Sequence, residues 1–109
     1  MATKKQKLEL TWIGKGEESA LEPRILIEDP KYSYGDPEAE NILIHGDNLL
    51  ALKALEQNYT GKVKCIYIDP PYNTGNAFEH YDDGLEHSIW LGLMFERLKI
   101  LKNLLRDDG

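Results

Sequence analysis

The chain has 109 residues, 41% of them apolar and 29% charged, with a formal net charge of −6; this suits one small soluble domain and leaves little room for two separate cores. Its lysines and arginines are scattered, so the composition offers no broad basic face for gripping a phosphate backbone. No apolar run approaches the roughly 20 residues of a membrane span, and the basic start is not followed by the apolar stretch of a secretory leader. The sequence therefore reads as cytoplasmic, with no membrane partner. Its one cysteine, Cys65, has no internal disulfide partner. It lies inside an apolar run, where a small buried thiol is the expectation.

Residues 1–40 read as an extended N-terminal arm. Lys4, Lys5 and Lys7 form the one dense basic group, read as a solvated tail. Leu8-Glu9-Leu10-Thr11-Trp12-Ile13 alternates partly as a strand would, until Gly14-Lys15-Gly16 breaks it. Arg24-Ile25-Leu26-Ile27-Glu28 is a second short apolar run, held between Pro23 and Pro30. The arm is expected to pack on the main body, with Trp12, Tyr32 and Tyr34 each laying an aromatic face against it.

From Asn41 the pattern sharpens. Ile42-Leu43-Ile44-His45 is a short apolar run ending in Gly46-Asp47-Asn48. Leu49, Leu52 and Leu55 then recur at helical spacing, with Asp47 or Asn48 as the N-cap and Asn58 and Gly61 as stop signals. Val63 to Ile68, rich in β-branched and aromatic residues, reads as a core strand. Strand, helix and strand over residues 42–68 suggest a right-handed βαβ crossover with parallel strands. Asp47 and Asp69, each just past its strand, would then share the carboxyl edge where open α/β sheets bind ligands.

Asp69-Pro70-Pro71-Tyr72 ends the second apolar run. The two prolines lack N–H groups and fix φ, so neither ladder nor helix continues and carbonyl oxygens are left free. Such a turn suits one chemical task. An exocyclic amine of a nucleobase is a poor nucleophile because its lone pair is delocalised into the ring. The Asp69 carboxylate and the Pro70 carbonyl can each accept one of its N–H groups and localise the pair, while Tyr72 stacks on the base. Residues 76–84 follow as a polar loop carrying Phe78 and Tyr81; His80 and His87 lack the partners and spacing of a metal site. The spacing then predicts a helix over 88–105, capped by Ser88 or Asp83. Its apolar stripe is Ile89, Leu93, Leu98, Leu101 and Leu105, widened by Trp90, Met94 and Leu104.

The tetrapeptide resembles the D-P-P-Y catalytic motif of beta-class, amino-methylating DNA methyltransferases. The wider string runs from Ile44-His45-Gly46-Asp47-Asn48-Leu49-Leu50-Ala51-Leu52-Lys53 through Tyr59, Gly61-Lys62-Val63-Lys64 and Asn73-Thr74-Gly75. It is similar to adenine-N6 enzymes, above all the modification subunits of type III restriction-modification systems. The resemblance implies an α/β fold, a partial methyltransferase Rossmann-like layer over 41–109 with a flanking helix and the arm before it. It further implies S-adenosylmethionine as cofactor, double-stranded DNA as substrate, and a restriction subunit and homodimer as partners of the full-length enzyme. On it, Asp69, Pro70, Pro71 and Tyr72 are catalytic, Asp47 and Asn48 contact the adenosine part of the cofactor, and no metal is needed.

The sequence departs from that pattern in one respect. A glycine-rich F-x-G-x-G-like turn for the methionine part of the cofactor is absent, as is a target-recognition segment. The resemblance implies that both lie downstream of Gly109, so the chain is expected to be the N-terminal part of an enzyme and inactive alone. Two other readings stand beside this one. A cytosine-N4 or ribosomal-RNA guanine-N2 methyltransferase is the first, though Asp69 and the Asn73-Thr74-Gly75 tail favour adenine in DNA. The second is a catalytically silent module that binds a restriction partner.

Overall fold

Helix formation begins where the sequence offers a cap. In the structure, a computed structural model that describes residues 5–72 and 83–109, the extended backbone of Asp47 lets its Oδ1 accept from the Leu49 and Leu50 N–H groups at 2.9 and 3.1 Å. This satisfies two of the orphan donors of a first turn. Helix α1 (Asn48–Tyr59) follows, with Thr60 as its C-cap. Gly61 then adopts φ +69°, the left-handed geometry that turns the chain out of a helix at little steric cost. Its N–H donates to the Asn103 carbonyl at 2.9 Å, which ties the exit of α1 to the end of the second helix, α2 (Asp83–Leu104).

The two helices meet over a small core. Leu49 of α1 is buried with Ile100 and Leu104 of α2, and Leu21, Leu52, Leu55, Val63 and Leu101 pack around them, partly buried. Met94 and Ala54 are also buried. The face that α2 buries thus takes Met94 and Leu104 from the expected stripe, with Leu101 beside them, adds Ile100, and leaves out Leu98, which is 47% exposed. Ser88 is a correction of the same kind. It lies within α2, which starts at Asp83, and is buried, its Oγ accepting from the Ile13 N–H at 3.2 Å.

That bond belongs to a strap. The arm runs along α2 in the same direction as the helix, first through Trp12, whose ring meets Phe95 edge-on at 5.2 Å between centroids. Lys15 sits over Trp12 at 5.0 Å and pairs with Glu9 at 2.7 Å; that hydrogen bond and the ammonium charge hold the Glu9 carboxyl below its usual range. Further along, Ser19 N–H donates to Glu96 Oε1 at 2.9 Å, Glu18 pairs with Lys99, and Leu21 enters the core. Packing of the arm stops about there. Ile25 (76%), Ile27 (81%), Tyr32 (73%) and Tyr34 (98%) stand out in solvent, so the tyrosine faces do not lie against the body as expected.

The two expected strands are not formed as ladders among the described residues. Residues 42–45 join no ladder among the described residues, and Leu43 is 98% exposed. Val63 does pair, in an isolated parallel bridge with Leu105. Val63 N–H donates to the Leu104 carbonyl and Arg106 N–H to the Val63 carbonyl, both at 2.9 Å. The partner of the second apolar run is therefore the chain leaving α2, not residues 42–45. A turn then closes with Gly109 N–H on the Arg106 carbonyl at 3.0 Å, and Lys64 pairs with Asp108 at 2.9 Å. Beyond the bridge, Cys65 is exposed and Tyr67 is 91% exposed; a strand residue is buried only once neighbours cover its faces, so the buried-thiol expectation is corrected. Lys4, the Asn73-Thr74-Gly75 string and the loop residues Phe78, His80 and Tyr81 lie outside the described residues. Among the described residues no helix is long and apolar enough to cross a membrane.

Candidate functional site

The Asp69–Tyr72 tetrapeptide is open to solvent. Asp69 and Pro71 are exposed, Pro70 is half-buried and Tyr72 is 95% exposed, so a flat ring has free access to the tyrosine face. What holds the turn is a contact from α2: the Trp90 indole N–H donates to the Pro71 carbonyl at 2.6 Å. A buried or half-buried indole usually finds such a partner, and a carbonyl beside two prolines has no ladder to join. The indole thus anchors the second proline of the turn from another part of the chain.

Asp47 and Asn48 lie at the N-terminus of α1, both exposed. Both cap bonds of Asp47 run to Oδ1, so Oδ2 is not required for the cap. Asn48 Oδ1 accepts from Arg97 Nε at 2.7 Å, while Arg97 Nη1 donates to the Leu93 carbonyl at 2.9 Å and so fixes the guanidinium against its own helix. The structure does not join Asp47 and Asp69 through a sheet edge, since no sheet is present among the described residues. It joins their neighbourhoods through α2. Trp90 and Arg97 are two turns apart on one face of that helix, about 10 Å along its axis.

The sequence did not show that either residue contacts the candidate site. Trp90 was placed only in an apolar stripe and Arg97 carried no role. The one available signal was weak: a half-buried indole or guanidinium needs an acceptor, yet spacing does not say where that acceptor is. A hollow of about 180 Å³ lies between the arm and the helices, lined by Glu18, Lys53, Glu96 and Lys99 among others. None of the predicted site residues lines it. Among the described residues no group of three or more His, Cys, Asp or Glu side chains is arranged to hold a metal ion.

Comparison with known proteins bears on what this arrangement is for. Residues 63–109, which contain the tetrapeptide and α2, match the DNA methylase family. The chain is 56% identical over 79 residues to the probable type III restriction-modification enzyme HindVI Mod subunit of Haemophilus influenzae, covering 72% of this chain and 10% of that protein. It is 34% identical, over an aligned length of 141, to the EcoPI Mod subunit of Escherichia phage P1, covering 96% of this chain and 22% of the relative. A type II methyltransferase, M.EcaI of Enterobacter cloacae, is 44% identical over 75 residues, covering 63% of this chain and 16% of the relative. The chain thus spans between a tenth and a quarter of the length of these relatives. No solved structure matches it. By sequence this chain is related to the DNA methylases, as a segment similar to part of the type III modification subunits.

Proposed function

We propose that this chain is part of a site-specific DNA methyltransferase that transfers a methyl group from S-adenosylmethionine to the N6 amine of a flipped adenine, within a type III restriction-modification system. The observation that carries the reading is the solvent-open Asp69-Pro70-Pro71-Tyr72 turn inside the segment that matches the DNA methylases. In this reading residues 41–109 belong to an α/β catalytic domain and 1–40 form its arm. The parallel bridge of Val63 with Leu105 across α2 supports that fold, because parallel pairing needs a helical crossover of this kind. The partners are double-stranded DNA, a restriction subunit and a second modification subunit, and the compartment is the cytoplasm.

The chemistry follows from the turn. Taking a base out of a duplex costs a few kcal/mol, and stacking on Tyr72 returns roughly 1–3 kcal/mol. The Asp69 carboxylate and the Pro70 carbonyl then accept the two amine N–H groups and draw the nitrogen lone pair out of the ring. Methylation must release one amine proton overall, and Asp69 is the acceptor this turn provides. The cofactor supplies an electrophilic methyl group. Asp47 Oδ2 and the Asn48 side chain suit the hydroxyls of its adenosine part, since a carboxylate oxygen accepts from ribose hydroxyls in nucleotide-binding α/β layers. The methionine part has no glycine cradle in these residues, so isothermal titration of the 109-residue chain with S-adenosylmethionine should show binding weaker than micromolar.

Two measurements test the assignment. A chain of the relatives' length, incubated with DNA and S-adenosylmethionine, should yield N6-methyladenine on nucleoside mass spectrometry; N4-methylcytosine, methylated guanine or no product at all would replace the reading. Asp47 separates its two roles. Asparagine caps a helix as well as aspartate does, so Asp47→Asn should keep the melting temperature while weakening cofactor binding. Asp47→Ala should weaken cofactor binding and also lower the melting temperature, losing about 1 kcal/mol of stability with the cap.

A further inference from the structure

We infer that α2 is the common strut of the site: Trp90 positions the target-amine turn and Arg97 positions the cofactor end. This rests on the methyltransferase reading above. Each residue spans elements far apart in sequence, with Trp90 Nε1–H on the Pro71 carbonyl at 2.6 Å and Arg97 Nε–H on Asn48 Oδ1 at 2.7 Å. They share one helix face, so the helix sets the spacing between the turn that takes the base and the helix end that takes the adenosine. Trp90 thus fixes the position of the proline pair through the Pro71 carbonyl. Neither residue need touch base or cofactor; both act through the group they hold.

The two bonds predict separable defects. Trp90→Phe keeps a ring and deletes the donor, and should lower kcat 10- to 100-fold with KM for S-adenosylmethionine within about twofold, since a small misplacement of a reacting group has effects of this size. Arg97→Gln should instead raise KM for S-adenosylmethionine about tenfold with kcat little changed. Both are measured as steady-state DNA methylation in a chain of the relatives' length, with thermal melting in parallel. Replacing Trp90 by its benzothiophene isostere, which has sulfur where the indole has N–H, keeps the packing volume and should reproduce the Phe defect.

Wild-type kcat in the isostere would overturn the role of the hydrogen bond. Parallel losses of kcat, cofactor affinity and melting temperature in both variants would reduce α2 to a plain structural helix and also overturn it. Asp69→Ala is the control that separates the two levels. If Asp69→Ala is inactive and Trp90→Phe is normal, the strut fails and the methyltransferase reading stands; if Asp69→Ala is fully active, the turn is not the reacting site and both the strut and the role proposed for Asp69 fall.

Discussion

Replacing Asp69 with alanine is expected to lower DNA methylation by about 100- to 1,000-fold, the scale seen when one preorganised hydrogen-bonding group is removed from the reacting centre. The loss should fall on kcat, because in the proposed reading the carboxylate acts on an amine already stacked against Tyr72. Folding should be untouched: Asp69 is exposed and surface changes away from caps and cores seldom exceed half a kcal/mol. Asp69→Asn is the informative companion. An amide still accepts one N–H through its oxygen but carries no charge to take the proton, so it should fall between wild type and alanine. Single-turnover assays with tritiated S-adenosylmethionine and thermal melts on the same preparations check both halves. Full activity in Asp69→Ala would leave a binding module on a methyltransferase scaffold as the surviving explanation.

Leu104→Ala should be the most damaging single change to the fold. Leu104 is 3% exposed and sits with Leu49 and Ile100 at the centre of the core that joins α1 to α2. Truncating a buried leucine costs about 2–5 kcal/mol, through lost transfer energy and the cavity left behind. Few other buried side chains are at hand to fill that cavity. Its backbone carbonyl also receives the Val63 N–H, so displacing this turn of α2 disturbs the bridge. Urea unfolding followed by far-ultraviolet circular dichroism should show a lower midpoint with an unchanged slope. Leu98→Ala, at a position 47% exposed, should shift the midpoint far less.

Part of this architecture was legible in the residues and part was not. Helix α1 could be read because its signals are local: an aspartate cap, leucines at helical spacing and a glycine with positive φ after the last turn. The body of α2 was equally plain, but the face it buries was not. A helix rich in leucine offers several stripes, and only the position of Leu49 selects Ile100 and Leu104 over Leu98. The Val63–Ile68 run announced a strand, yet an apolar run carries no record of its neighbour, and the bridge forms with Leu105 in place of the Ile42–His45 run. At the candidate site, the tetrapeptide could be singled out because the constraints of prolines and the charge of a carboxylate are local. Trp90 and Arg97 could not, because their acceptors, Pro71 and Asn48, lie in other segments of the chain.

The Val63–Leu105 pairing has a mechanical consequence. Period-two geometry makes one locked pair the origin from which every later pair is counted, like the first tooth of a zip fastener. Here that origin is fixed beside a bend in which Gly109 N–H meets the Arg106 carbonyl and Asp108 pairs with Lys64. A methyl group at position 109 would come within 2.9 Å of the Lys64 oxygen and 3.1 Å of the Val63 oxygen, too close to be kept. Glycine at 109 is thus what lets the bend lie against the paired residue.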